Sequence, residues 1–184
     1  MAVGIRRIPK PISEKVEQER SCDHKGPGPE KPGVQIRCPQ AWFYAPAPVG
    51  CPFPPLVTLF QQQTFERGVI IYLPALRVHY VFVAGRGVRQ MADTFVPGMP
   101  LKDAALEAAI PAGLRQPTGA IFYAWRSDQA LQAALGYAVG DVQTYTGMHQ
   151  RAVSSEGETV SFSAGSGQVY QVLPDGTWLS ITPQ

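Results

Sequence analysis

The chain has 184 residues, room for one domain and a tail, and is 45% apolar but only 16% charged. A formal net charge of +2 is too small to argue for nucleic acid as a partner, and no run of about 18 apolar residues offers a membrane span. Its 18 glycines and 18 prolines favour short strands and turns over long helices.

Residues 1–37 form a zone of their own composition. Eight Lys/Arg stand against five Asp/Glu, with Pro9, Pro11, Pro27, Pro29 and Pro32 spread among them. So little apolar surface does not offset the entropy of ordering, so the zone reads as a flexible Pro/Lys-rich tail or linker. Within it, Ser13 could cap a turn or two of helix over 12–20, with a thin apolar face. Met1 to Arg20 is charged throughout and has no apolar core of a secretory signal. The expectation is a cytoplasmic protein or one whose leader has been removed. Residues 38–184 read as a single β-rich domain.

Cys22, Cys38 and Cys51 are the only cysteines. Cys22-Asp23-His24 invites a zinc reading, but gaps of 15 and 12 residues between the cysteines do not make the tight pairs of a zinc turn. No metal is expected, and no cofactor. A disulfide fits better, with three pairings open and one thiol over. Joining Cys38 to Cys51 would close a loop around Trp42, Phe43 and Tyr44. Those three aromatics read as a short edge strand or a loop, which either offers a stacking surface for a sugar or a peptide or, the preferred reading, covers one end of a sheet; an extended proline-rich path to Pro55 follows.

Gln63-Thr-Phe-Glu-Arg-Gly-Val-Ile-Ile-Tyr72 and Val78–Val83 are the densest apolar stretches. Their β-branched and aromatic composition predicts two antiparallel strands, interrupted at Pro74, which has no N–H for a ladder. Gly68 is expected to adopt positive φ at a bend or bulge. The glycine-rich Ala84–Val88 lacks the spacing of a phosphate-binding loop, and no nucleotide site is expected. Asp93-Thr-Phe95 reads as a strand or turn. Residues 100–110 read as a helix ended by Pro111, residues 119–125 as a strand, and residues 128–135 as a second helix capped by Ser127 and ended by Gly136. The last third is a meander over 144–145, 150–153, 159–164, 168–173 and 177–181. Asp175-Gly176 is its hairpin signal, expected as a type I′ turn. The fold class is therefore mainly β (α+β), antiparallel hairpins with two short helices. Gln63-x-Phe65-x-x-Gly68 has a weaker echo from Gln150 onward, which predicts two pseudo-repeated units.

Leu135-Gly-Tyr-Ala138, followed by a Gln-containing strand and a hairpin, resembles the LGFP-type repeat of bacterial cell-envelope proteins. Tyr137 is followed by Ala138 and not by Pro, and the chain has one such turn. The ordered set Cys51-Pro, Phe65-Glu-Arg-Gly68, Asp93-Thr-Phe95, Pro111-Ala-Gly-Leu114, Gln116-Pro117, Trp125-Arg126, Leu135–Ala138 and Asp175-Gly-Thr-Trp178 resembles an uncharacterised extracellular domain of Chloroflexota-type bacteria. It covers roughly residues 50–180. The resemblance implies placement outside the cell or in its envelope, a binding or anchoring role, and a cysteine at position 51. It brings no catalytic residues with it.

The expected function is therefore a non-catalytic module of a secreted protein that binds a cell-wall polymer or glycan. Tyr72, Trp125, Tyr170 and Trp178 would stack on sugar rings, and Glu66 and Arg67 would supply polar contacts. The alternative is a small hydrolase with a loop-borne site, built on His149 and a carboxylate, with Glu66 and Asp93 as candidates. No nucleophile elbow, metal-binding helix or activated cysteine accompanies His149. His79, inside an apolar run, reads as a strand residue at the surface or as a core histidine with its hydrogen bonds satisfied.

Overall fold

In the computed structural model the described residues are 38–183. The tail reading, its short helix and Cys22 lie outside them. Eight strands form one antiparallel sheet: β1 (Leu56–Phe65), β2 (Gly68–Leu73), β3 (Val78–Val83), β4 (Val88–Ala92), β5 (Gln143–Ser154), β6 (Gly157–Ser163), β7 (Val169–Val172) and β8 (Trp178–Ile181). Their order, β4-β3-β2-β1-β5-β6-β7-β8, is two four-stranded meanders joined back to back at β1 and β5. The two ends of the sheet meet. Val88 N–H donates to the Gly176 carbonyl at 2.9 Å, and the Trp178 indole donates to the Arg86 carbonyl at 3.1 Å. The sheet thus curls into a near-closed barrel and hides its edges, which are otherwise templates for pairing with another chain.

The alternation along β2 and β3 feeds two cores. Val69, Ile71, Leu73, Tyr80 and Phe82 point into the barrel with Phe60, Val160 and Phe162. Ile70, Tyr72, Val81 and Val83 point outward and are covered by Ile121, Phe122, Trp125, Leu131 and Leu135. This is why both runs read as continuous apolar sequence: each is buried on two faces.

The covering layer holds three α-helices, not two: α1 (Ala104–Glu107), α2 (Gly119–Arg126) and α3 (Gln129–Leu135). The stretch read as a strand over 119–125 is α2. Its buried residues are Ala120, Ile121, Phe122, Ala124 and Trp125, a broad helical face that leaves Arg126 outside, and its aromatic composition masked that spacing. The helix expected over 100–110 shrinks to the single turn α1: Asp103, itself extended, caps its start by accepting from Ala105 and Leu106, and past Glu107 the backbone bonds run over three residues, Ala109 N–H to Leu106 and Ile110 N–H to Glu107. Asp128, not Ser127, caps α3, while the Ser127 hydroxyl donates back to the Ala124 carbonyl of α2.

Three local features also differ from expectation. Gly68 does not have positive φ but is a regular strand residue, paired with Phe65 across the two-residue turn Glu66-Arg67. Asp175-Gly176 is not type I′, since Pro174 fixes a negative φ before it. Gly176 alone is left-handed, at φ 80°, and the Leu173 and Gly176 backbone bonds describe a type I turn with a bulge. The pieces 144–145 and 150–153 are one strand, β5. Gly147 does not break it but makes room for the Phe60 ring, about 3.0 Å from where a Cβ would lie.

The pseudo-repeat is visible in the barrel. Over the ten residues of β1 the order of buried and exposed positions matches that at the start of β5. Gln63 and Gln150 hold equivalent places. The Gln63 amide donates to the Gly140 carbonyl just before β5, and the Gln150 amide donates to the Phe53 carbonyl just before β1, both at 2.9 Å. The spacing from Gln63 to Gln150 equals that from Phe53 to Gly140. Leu59 and Thr146, so spaced as well, face each other across the β1–β5 ladder, so a pseudo-dyad passes between them.

The outer faces of the halves are closed differently. The first carries the helices. The second carries the loop closed by the Cys38–Cys51 disulfide, whose Tyr44 is buried with its hydroxyl 2.7 Å from Ser161 Oγ. Cys51→Ser is expected to cost about 2 kcal/mol and to open residues 39–50 to protease while the barrel persists. An equally resistant loop in that variant would contradict the role given to the bridge.

Candidate functional site

Three hollows carry the candidate chemistry. The first, about 460 Å³, lies where the β1–β2 turn meets α3, and Glu66, Arg67, Trp125, Gln129, Gln132 and Tyr137 are among its lining residues. Three residues singled out in the sequence thus share one place. Their local roles are structural as well. Arg67 Nε and a terminal guanidinium nitrogen donate to the carbonyls of Ala134 and Ala133, at 2.9 and 2.7 Å. These are orphan acceptors at the C-terminal end of α3, where a cation is also favoured by the helix dipole. Glu66 Oε2 accepts from Tyr137 N at 2.8 Å. Glu66 and Arg67 therefore clamp the helix end and do not form the ion pair that adjacent opposite charges suggest.

The aromatic candidates do not form one row. Trp125 is 2% exposed, and its indole donates to the Gly136 carbonyl. Tyr72 is buried in the outer core, whereas Tyr170 and Trp178 are half-buried and pack against the barrel interior. The ring that stands at the hollow is Tyr137, partly buried and 5.9 Å from Trp125 between centroids. Tyr137, Gln129 and Gln132 were not singled out as binding residues, although the Leu-Gly-Tyr-Ala turn that positions Tyr137 was.

Asp93 is a buried structural carboxylate. It accepts from the Tyr72 hydroxyl at 2.7 Å and the Phe95 N–H at 2.8 Å, and Arg77 lies 3.1 Å away. Burial and then the bond to Asp93 push the Tyr72 hydroxyl up to about 12. His79 is neither at the surface nor a satisfied core histidine: it stacks on Tyr72 at 4.4 Å, 1% exposed, with no hydrogen-bond partner on either ring nitrogen. Burial lowers its pKa, and the opposing influence of Asp93 and the nearby backbone of Met91 and Ala120 is smaller.

His149 is not loop-borne as expected but lies within β5, paired with Leu56 and Phe162, and sits at one mouth of the barrel in a hollow of about 280 Å³ lined by Phe53, Pro54, Leu56, Leu76 and Arg151. Its Nε2 is buried without a partner. No carboxylate lines this hollow, and Glu158 is engaged by Arg151 at 3.0 Å. Glu66 and Asp93 lie elsewhere, so the dyad imagined for a hydrolase is not assembled here. Burial, then the Arg151 charge, lowers the His149 pKa to about 4.

That shift has a consequence for stability. The unfolded chain holds its histidine at about 6.5, so between about pH 4 and 6.5 it binds more protons than the folded one. Stability is then full above about 6.5 and falls as pH falls through this window. Moving from about pH 7.5 to about pH 5 is expected to remove about 2 kcal/mol through His149, and His149→Gln to flatten that slope, as urea denaturation at both pH values would show.

The third hollow, about 450 Å³, is polar. Gln63, Lys102, Glu107, Arg115, Gln116 and Asp141 contribute to it. Its charges are paired, Lys102 with Glu107 at 3.0 Å and Arg115 with Asp141 at 2.8 Å. Among the described residues no group of three or more His, Cys, Asp or Glu could hold a metal ion, and no helix is long and apolar enough to cross a membrane.

The fold and these hollows define a mainly β, antiparallel near-barrel with a helical cover on one half. Comparison with protein-family models, with curated proteins and with solved structures found no match.

Proposed function

We propose that the chain is a non-catalytic binding module for a cell-wall polymer or glycan, and that the hollow between the β1–β2 turn and α3 receives it. One observation carries this reading: Glu66, Arg67, Trp125 and Tyr137 line the same open hollow, beside the amides of Gln129 and Gln132. An aromatic face with carboxylate, guanidinium and amide groups around it is the lining a polyhydroxylated ring requires, since CH faces stack and hydroxyls need both donors and acceptors. Trp125 is too buried to stack and instead supports Tyr137. The disulfide supports an oxidising, extracellular or envelope setting for the module.

Retention on insoluble cell-wall material tests the reading. Tyr137→Ala should weaken it about tenfold, which corresponds to about 1.4 kcal/mol, with the melting profile little changed. Glu66→Ala is a poorer probe, because it also removes the bond to Tyr137 N. Retention unchanged in Tyr137→Ala, or none by the native chain, would overturn the proposal.

A further inference from the structure

The pseudo-dyad relates Gln150 to Gln63, and the two amides differ in what surrounds them. In the second half the disulfide loop completes Gln150. Its Oε1 accepts from the Phe43 backbone N–H at 3.0 Å, and its Nε2 donates to the carbonyls of Ala41 and Phe53, each at 2.9 Å. A short peptide segment, Ala41–Phe43, is thus read by one buried side-chain amide. In the first half Gln63 makes the bond equivalent to that with Phe53, to the Gly140 carbonyl. A carbonyl only accepts, so the bond fixes the orientation of the amide and turns Oε1 away from Gly140. There Oε1 is buried without any partner, and the residue, 2% exposed, belongs to the lining of the polar hollow.

We infer that this polar hollow is a peptide-binding site, in which the backbone N–H of an incoming extended segment donates to Gln63 Oε1 as Phe43 N–H does to Gln150. A buried carbonyl oxygen without a donor is costly, so a ligand that supplies one gains more there than at an exposed surface. The paired charges of Lys102 with Glu107 and Arg115 with Asp141 suit a neutral backbone better than a charged group. Gln116, from the same lining, already engages a peptide in this way: its Oε1 accepts from Asp103 N at 2.9 Å and its Nε2 donates to Asp103 O at 3.1 Å. The site is separate from the hollow at Glu66 and Tyr137 and does not depend on the glycan reading.

The test is selection of random heptapeptides displayed on phage against the full chain, followed by synthesis of the enriched peptides. Each is also made with single backbone amides replaced by esters, which removes one N–H at a time. The expected result is binding that falls at least about tenfold in Gln63→Leu and by a similar factor at one ester position. The side-chain amide resonances of Gln63 in the native chain, which need no variant, should move when peptide is added. No enrichment, equal binding by Gln63→Leu, indifference to every ester, or unmoved Gln63 resonances would each overturn the inference. So would movement with a chito-oligosaccharide but not with peptides.

Discussion

Gly68→Ala is expected to destabilise the domain by more than about 3 kcal/mol, a large part of what a domain of this size has. The backbone angle at Gly68 is ordinary, so the effect is one of space. A Cβ there would lie on the Phe82 carbonyl oxygen and 2.8 Å from Leu135 Cδ2. Phe82 is fully buried in β3 and packs against Phe162, Tyr170 and Trp178. Its backbone therefore cannot retreat without disturbing the barrel interior, and Leu135 cannot without lifting α3. Gly85→Ala is the useful contrast. Its φ is +68°, yet nothing lies within 4 Å of the added carbon, so it should cost only about 1 kcal/mol. Urea denaturation of both variants separates the steric account from the conformational one. Equal losses would contradict it.

Gln150→Leu should cost about 3 kcal/mol, while Gln63→Leu should lie within about 1 kcal/mol of the native chain. The first change strands Phe43 N–H and the carbonyls of Ala41 and Phe53 at once. The second strands only the Gly140 carbonyl and removes an oxygen that had no partner. The two residues have the same chemistry and equivalent positions, so the difference isolates what the disulfide loop contributes. Matching losses would mean that the two environments are not as unlike as described.

Much of the β architecture was legible because it rests on short-range signals. Val69–Tyr72 and Val78–Val83 announce strands by composition, Pro74 separates them, and the echo of Gln63 in Gln150 marks the repeat. Strand β1 was not legible as such. Its polar Gln61-Gln-Gln63 run hides that Gln62 and Gln63 are buried, one in each direction. Helix α2 was missed because Ile121, Phe122, Tyr123 and Trp125 favour strands locally, and only the outer face of β2 and β3 decides otherwise. The site suffered similarly. Glu66, Arg67 and Trp125 were selected and do meet, but Tyr72, Tyr170 and Trp178 serve the cores. Tyr137, Gln129 and Gln132 come into place only when α3 docks on the turn, a long-range contact that no sequence window contains.

The most direct measurement is a nuclear magnetic resonance titration of isotopically labelled chain with soluble, peptide-free cell-wall glycan. The predicted result is saturable movement of the Gln129, Gln132 and Tyr137 signals, reduced in Tyr137→Ala, with the barrel mouth at His149 unaffected. Signals at these three residues that stay fixed at saturating glycan, or shifts confined to His149 and Arg151, would contradict the account.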